Sequence, residues 1–187
     1  MTIFFETERL IARSFEHEDI TAFARYRSDP EVARYQSWDA PFSAAMAARF
    51  VDAMKASTPG LPGEWYQIAI VPKASQEMIG DCAFHLLAED ARQAEIGFTL
   101  SRDYQGQGYM TEAIHGLLRY LFEMYNLHRI RANCDPENEA SGRLMKRVGM
   151  RHEGHFLESL WFKGRYASEN WYAILHREWI EQHEHGS

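Results

Sequence analysis

Cysteine is nearly absent: the 187 residues hold two, Cys82 and Cys134, in neither a Cys-x-x-Cys pair nor a Cys/His group at zinc spacing. Two reduced thiols are expected, not a disulfide framework or a structural zinc. Long apolar runs are missing too. Nothing approaches the ~20 consecutive apolar residues that span a bilayer, and the opening Met1-Thr2-Ile3-Phe4-Phe5-Glu6 has no basic segment leading an apolar one. The expectation is a cytoplasmic protein without a membrane partner. Basic charge is also short, with 20 Lys and Arg against 27 Asp and Glu for a net charge of −7. That balance argues against nucleic acid as a partner, since such binding needs basic surface to displace phosphate counterions; it suits a cationic amine. No repeat of about 20–50 residues is visible, which excludes solenoids. There is no His-Glu-x-x-His pattern, and His183 and His185 sit in a polar tail, 181–187, expected to face solvent and hold no metal.

What is present, 45% apolar and 13% aromatic residues, is enough for one well-cored domain, expected over residues 1–180. Strand and helix patterns alternate, which indicates an α/β or α+β domain. A strand is predicted over 8–15 and a helix over 17–28. Asp29-Pro30 supplies an N-cap followed by proline at the first helical position of a short helix, and Ser43 caps an Ala-rich helix reaching Ala56. Strands over 64–71, 77–87 and 92–100 suggest an antiparallel meander. A long amphipathic helix over 108–125 follows, with Met110, Ile114, Leu117, Leu121 and Phe122 on one stripe. Then come a strand over 128–134, a short helix over 136–148, and strands over 150–158 and 168–176 flanking a hairpin at Lys163-Gly164-Arg165. The total is about seven strands.

The most informative stretch is Tyr104-Gln105-Gly106-Gln107-Gly108-Tyr109-Met110-Thr111, between an apolar strand and the long helix. Glycine lets the backbone turn sharply and approach a ligand, and successive N–H groups at a helix start form an anion site without Lys or Arg. A phosphate or pyrophosphate is the expected guest. A Walker A loop needs a Gly-Lys pair, which the chain lacks, and a dinucleotide fingerprint needs a third glycine where Thr111 stands. An NAD-dependent oxidoreductase therefore fits poorly.

These residues resemble the acyl-CoA loop of the GNAT N-acetyltransferases, in particular the ribosomal-protein N-terminal acetyltransferase branch, with Gln105, Gly108 and Met110 at the motif positions. Met110 departs from the usual small residue there. Thr7-Glu8-Arg9-Leu10-Ile11-Ala12-Arg13 with Asp29-Pro30-Glu31-Val32, Ala94-Glu95-Ile96-Gly97-Phe98, and Asn138 to Ser141 with Lys146 to Met150 are similar to further segments of that branch, in the same order. The resemblance implies a single GNAT-like α/β domain, a mixed and mostly antiparallel central sheet flanked by helices, whose central parallel strands splay to form a CoA cleft. It implies acetyl-CoA as cosubstrate, with Phe98, Thr99 and Leu100 pairing with the pantetheine arm. The amides of Gln105, Gly106, Gln107, Gly108, Tyr109, Met110 and Thr111 would hold the pyrophosphate, and Asn138 would bond the arm from the other side. Lys146, Arg143 or Arg102 is expected either to meet the 3′-phosphate or to be an ordinary solvated charge.

Acetyl transfer needs a deprotonated amine, donors for the developing oxyanion and a proton for the leaving thiolate. Glu95 has two readings, a general base partly desolvated in the sheet or a structural carboxylate. Ser141 is either the acid for the thiolate or a helix cap; Tyr109 is a second acid. Cys134, bordering the cleft, raises the alternative of an acetyl-cysteine intermediate, but the resemblance implies direct transfer in a ternary complex. Trp38 belongs either to the core or to the acceptor pocket. The acceptor is expected to be a small-molecule amine or a protein N-terminus, and the protein a monomer or a homodimer. The rival from another class is a non-catalytic acyl-CoA-binding module.

Overall fold

Alternation along the middle strands decides which side of the sheet each residue faces. A computed structural model describes residues 1–184. In it β1 (Ile3–Glu6), β2 (Leu10–Arg13), β3 (Tyr66–Pro72), β4 (Gly80–Leu86), β5 (Gln93–Leu100), β6 (Arg129–Cys134), β7 (Arg151–Phe162) and β8 (Arg165–Leu175) form one sheet in the order β1-β2-β3-β4-β5-β6-β8-β7. Every neighbouring pair is antiparallel except β5 and β6. On one face, Cys82, Phe84, Ala94 and Ile96 pack beneath α4 (Tyr109–Tyr125), with α5 (Glu139–Arg147) beside it. On the other, Ala69, Val71 and Met78 meet Phe23, Phe42 and Val51 of the N-terminal region, which contains α1 (Ile20–Arg27), α2 (Pro30–Ala33) and α3 (Ala44–Ala56).

The helices begin where their capping residues lie. Asp29 accepts the Glu31 amide at 2.9 Å with Pro30 in the first turn of α2, and Ser43 accepts the Met46 amide at 3.2 Å at the start of α3. The α4 stripe is fully buried through Ile114, Leu117, Leu118 and Leu121. Gly116 lies in that stripe because β1 crosses there; a Cβ would stand 2.5 Å from the Phe5 ring.

Two elements were not anticipated. The eighth strand is β1, four residues with no polar alternation to mark them. The last helix, α6 (His176–Glu184), follows directly on β8, so residues 181–184 of the expected tail are helical. Residues 185–187 and the side chain of His183 lie outside the described residues.

A buried ion pair ties the first helical segment to the sheet. Arg13 of β2 donates through Nη1 and Nη2 to the two carboxylate oxygens of Asp19, both at 2.7 Å, and Asp19 also accepts the Glu16 amide at 2.8 Å. Burial opposes the charge on Arg13, but the Asp19 hydrogen bond outweighs it and raises the guanidinium pKa further. Breaking one partner of such a pair strands the other. Asp19→Ala is expected to lower the unfolding free energy by about 3 kcal/mol, measured by urea denaturation.

Candidate functional site

The parallel pair is short. β5 and β6 are in register only at Gln93↔Arg129, Ala94↔Ile130 and Glu95↔Arg131. Beyond that point β5 stays paired with β4 as far as Leu100, and β6 stays paired with β8 as far as Cys134. The two strands therefore part, each presenting one backbone edge to the gap. Part of the β5 edge is already met by side chains: the Phe98 carbonyl accepts Gln36 Nε2 at 3.4 Å, and the Leu100 carbonyl accepts Gln105 Nε2 at 3.1 Å.

On the α4 side of the gap lies a cavity of about 570 Å³, lined by Phe98, Thr99 and Leu100, by Gln105, Gly106, Gly108, Tyr109, Met110 and Thr111, and by Asn138 and Ser141. Gly106 and Gly108 adopt φ of 73° and 80°, a region costly for residues with a Cβ, and nothing stands within 4 Å of where a Cβ on Gly106 would be. Gly108 is the N-cap of α4 and supplies no capping side chain, so the first-turn amides are left for a ligand. Gln107 does not line the cavity; its amide side chain turns back to the Asp103 carbonyl at 2.9 Å. Met110 lines the wall yet is only 4% exposed, with Sδ 3.8 Å from Cys82 Sγ in the core. Its bulk is thus directed into the core.

Asn138 is the N-cap of α5 and accepts the Ser141 amide at 3.2 Å. The cap of this helix is Asn138, then, and Ser141 stands in the first turn beside both cavities. Lys146 is exposed and lines neither cavity, whereas Arg102, Arg143 and Arg147 line the loop-side one. Arg102 is paired with Asp29 and Arg143 with Glu139, and Arg147 donates to Thr111 Oγ1 at 3.2 Å. Arg147 was missed by the sequence reading. Its spacing of four from Arg143, which places both on one helix face, is the signal that could have found it.

Across the gap lies a second cavity of about 470 Å³ whose walls include Tyr35, Trp38, Trp65 and Phe162 together with Asp81, Glu95, Asp135 and Glu169. No Lys or Arg is among its described lining residues. Glu95 does not stand alone in a dry sheet face, as the desolvated reading assumed. Arg131, its register partner on β6, donates from Nε to Oε2 at 3.0 Å with its Nη2 also 3.0 Å from that oxygen, and His85 Nε2 lies 3.9 Å away. Asp81 is 2% exposed and accepts the Tyr26 hydroxyl. Burial raises its pKa, against the lowering influences of the Arg27 charge 3.8 Å away and the Tyr26 hydrogen bond. Cys134 also lines this cavity; burial, with a contribution from the Asp135 charge, pushes its thiol up to about 11, so it is protonated at neutral pH.

Trp38 lines the same wall and is held firmly. Its Nε1 donates to the Arg27 carbonyl at 3.1 Å, and the Arg27 guanidinium lies 3.8 Å from its ring centroid. Lys163, at the tip of the β7–β8 hairpin, reaches over to this region. Its Nζ donates to the Ala33 and Trp38 carbonyls at 2.8 and 2.7 Å and lies 3.2 Å from Asp39 Oδ1. Hairpin and Trp38 segment therefore close into an arch beside the cavity. Neither Lys163 nor Arg131 had been singled out from the sequence.

A family model described as an acetyltransferase (GNAT) domain matches residues 9–151. The chain is 35% identical to an uncharacterized N-acetyltransferase, p20, of Bacillus licheniformis, over 92% of this chain and 96% of that protein. It is 28% identical to the spermidine N(1)-acetyltransferase of Vibrio cholerae over 62% of this chain and 66% of that one. Among solved structures, the GNAT-family acetyltransferase of Bacillus anthracis superposes with a TM-score of 0.83 at 31% identity, covering 95% of this chain and 99% of its own.

The polar contacts of the arch described above all come from one ammonium group. Lys163→Ala is expected to speed hydrogen exchange at amides 34–39 about tenfold, the loss of one charge-assisted anchor, while exchange within α4 stays unchanged; mass spectrometry of exchanged peptides checks this.

Proposed function

The chain belongs to the GNAT acetyltransferase family and is an acetyl-CoA-dependent N-acetyltransferase; from that premise we propose that it passes the acetyl group directly to a primary amine while donor and acceptor are bound together. The observation that carries this reading is the meeting of the two cavities at the strand gap, where Phe98, Thr99, Asn138 and Ser141 belong to the walls of both. A donor arm on the loop side and an amine on the other can be held face to face at one place, and proximity of that kind replaces a bimolecular encounter.

The loop-side cavity fits an acyl-CoA by its own chemistry: open amides at the start of α4, space above Gly106, and a strand edge for the amide-bearing arm. Bound there, acetyl-CoA supplies an activated carbonyl and a thiolate leaving group. The chain's residues do the rest. The carboxylate-lined cavity attracts a protonated amine, and Glu95 is placed to accept its proton, with Arg131 fixing Oε2 and so the orientation of the group. Ser141, at the junction, is the donor of a proton to the departing sulfur. A relay through Cys134 is disfavoured, since its thiol is protonated at neutral pH.

A small cationic amine and a protein N-terminus are both primary amines that this site could take. Three of the four carboxylates are each met by one arginine from outside the lining, Glu95 by Arg131, Asp81 by Arg27 and Asp135 by Arg165, so the wall keeps a small negative surplus that favours a cationic acceptor. Thiol release measured across polyamines, monoamines and peptides tests this. Polyamines are expected to give the highest kcat/KM, and absence of turnover with every amine would leave only an acyl-CoA-binding module. Glu95→Gln is expected to lower kcat by about 10²-fold or more, the scale of general-base catalysis, most strongly near neutral pH; an unchanged pH profile would remove Glu95 as the base. Ser141→Ala is expected to reduce kcat with little change in either KM, and normal turnover would reduce Ser141 to a first-turn residue of α5.

A further inference from the structure

The segment Thr7-Glu8-Arg9 lies between β1 and β2 and lines neither of the two cavities described above, yet the side chains of Thr7 and Arg9 bond to the start of α4. Arg9 donates from Nη1 to the Gln107 carbonyl at 3.1 Å and from Nε to Glu112 Oε2 at 2.6 Å, while its backbone amide reaches Glu112 Oε1 at 2.8 Å. Thr7 Oγ1 donates to the same Oε1 at 2.6 Å. The guanidinium also lies over the Tyr109 ring, 4.4 Å from its centroid. Both oxygens of Glu112 are thus occupied from behind the loop.

We propose that Arg9 is a positioning residue for the acyl donor: it holds the backbone of residues 107–109 in place and neutralises Glu112, so that the start of α4 can accept a pyrophosphate. This rests on the reading that loop 105–111 receives that group. Two physical needs support it. A loop with two glycines at positive φ loses more conformational freedom on ordering than other sequences, and a fork that fixes the Gln107 carbonyl and the Tyr109 ring lowers that cost. The second need is electrostatic. Glu112 lies in the first turn of α4, where an unpaired carboxylate would compete with an incoming phosphate for the positive end of the helix. Burial alone would raise the Glu112 carboxyl, but the hydrogen bonds from Thr7 and Arg9 hold it below its ordinary range, so it stays ionised and paired.

The discriminating measurement compares two donors, acetyl-CoA and S-acetyl-pantetheine, which carries the same arm without the pyrophosphate. Arg9→Ala is expected to raise KM for acetyl-CoA about tenfold, as for loss of a charge-assisted hydrogen bond, with kcat and acceptor KM within about twofold of wild type. Its kcat/KM with S-acetyl-pantetheine should stay within about twofold, and Arg9→Ala/Glu112→Gln should regain part of the acetyl-CoA loss. Equal losses with both donors, or no loss with acetyl-CoA, would overturn the proposal. Arg9→Lys keeps the charge without the fork and is expected to give a smaller loss of the same donor-specific kind, which serves if Arg9→Ala does not fold. Gly108→Trp separates the premise: if calorimetry finds CoA binding to it undiminished, the donor-loop reading itself fails. If Gly108→Trp loses CoA while Arg9→Ala binds it like wild type, only the role of Arg9 falls.

Discussion

Everything at the site depends on hydrogen bonds that β5 and β6 do not make. Past Glu95 and Arg131 the two strands are each held by another neighbour, β4 on one side and β8 on the other, so they separate without either losing its place in the sheet. An unpaired buried backbone group costs about as much as a lost hydrogen bond. The gap is tolerable because part of it is met by Gln36 and Gln105 and the rest opens into cavities. A continuous parallel ladder would be more stable locally and would have no place for two substrates to meet. Directly at the last paired position stands the Glu95–Arg131 ion pair, so the base proposed for the reaction is also the residue at which the opening begins.

The net charge of −7 sits easily with an anionic donor because the grip proposed for it is largely main chain. The open amides of the α4 start depend on no Lys or Arg of the loop, and the cations that line that cavity come from elsewhere, Arg102 ahead of the loop and Arg143 and Arg147 on α5. The acidic surplus is spent differently on the two sides of the gap. Glu112, in the first turn of α4, is covered by Thr7 and Arg9, whereas Asp81, Glu95, Asp135 and Glu169 line the opposite cavity, the first three each beside one arginine. One chain can thereby hold an anion and attract a cation within one cleft.

Local signals were readable in the sequence and distant pairings were not. Asp29-Pro30 and Ser43 announced α2 and α3 because a cap acts within three residues of itself. The α4 stripe announced its buried face because helical periodicity is written along the helix. The glycine loop was legible for the same reason: it carries its own chemistry. β1 and α6 escaped because four residues leave too short a pattern and because α6 follows β8 with no turn residues between them. Glu95 was legible as a carboxylate within a strand, but its partner Arg131 lies 36 positions away and Lys163 reaches carbonyls 125 and 130 positions away. Partners of that kind are set by topology, which a periodicity does not encode.

Asn138 shows why a residue's structural and functional roles need not compete here. Its Oδ1 is committed to the Ser141 amide as the cap of α5, and this leaves the amide nitrogen, a donor of two protons, free to act on the cavity it lines. Capping fixes the side chain's rotamer before any ligand arrives, so a hydrogen bond to the donor arm would cost little further ordering. The same bond places Ser141 at the junction of the two cavities. Precision at the reacting centre then derives from a helix start, as on the opposite side it derives from Gly108 and the first turn of α4. In the proposed reaction two helix N-termini, one on each side of the parted strands, are therefore the elements that would hold donor and reacting centre at the gap.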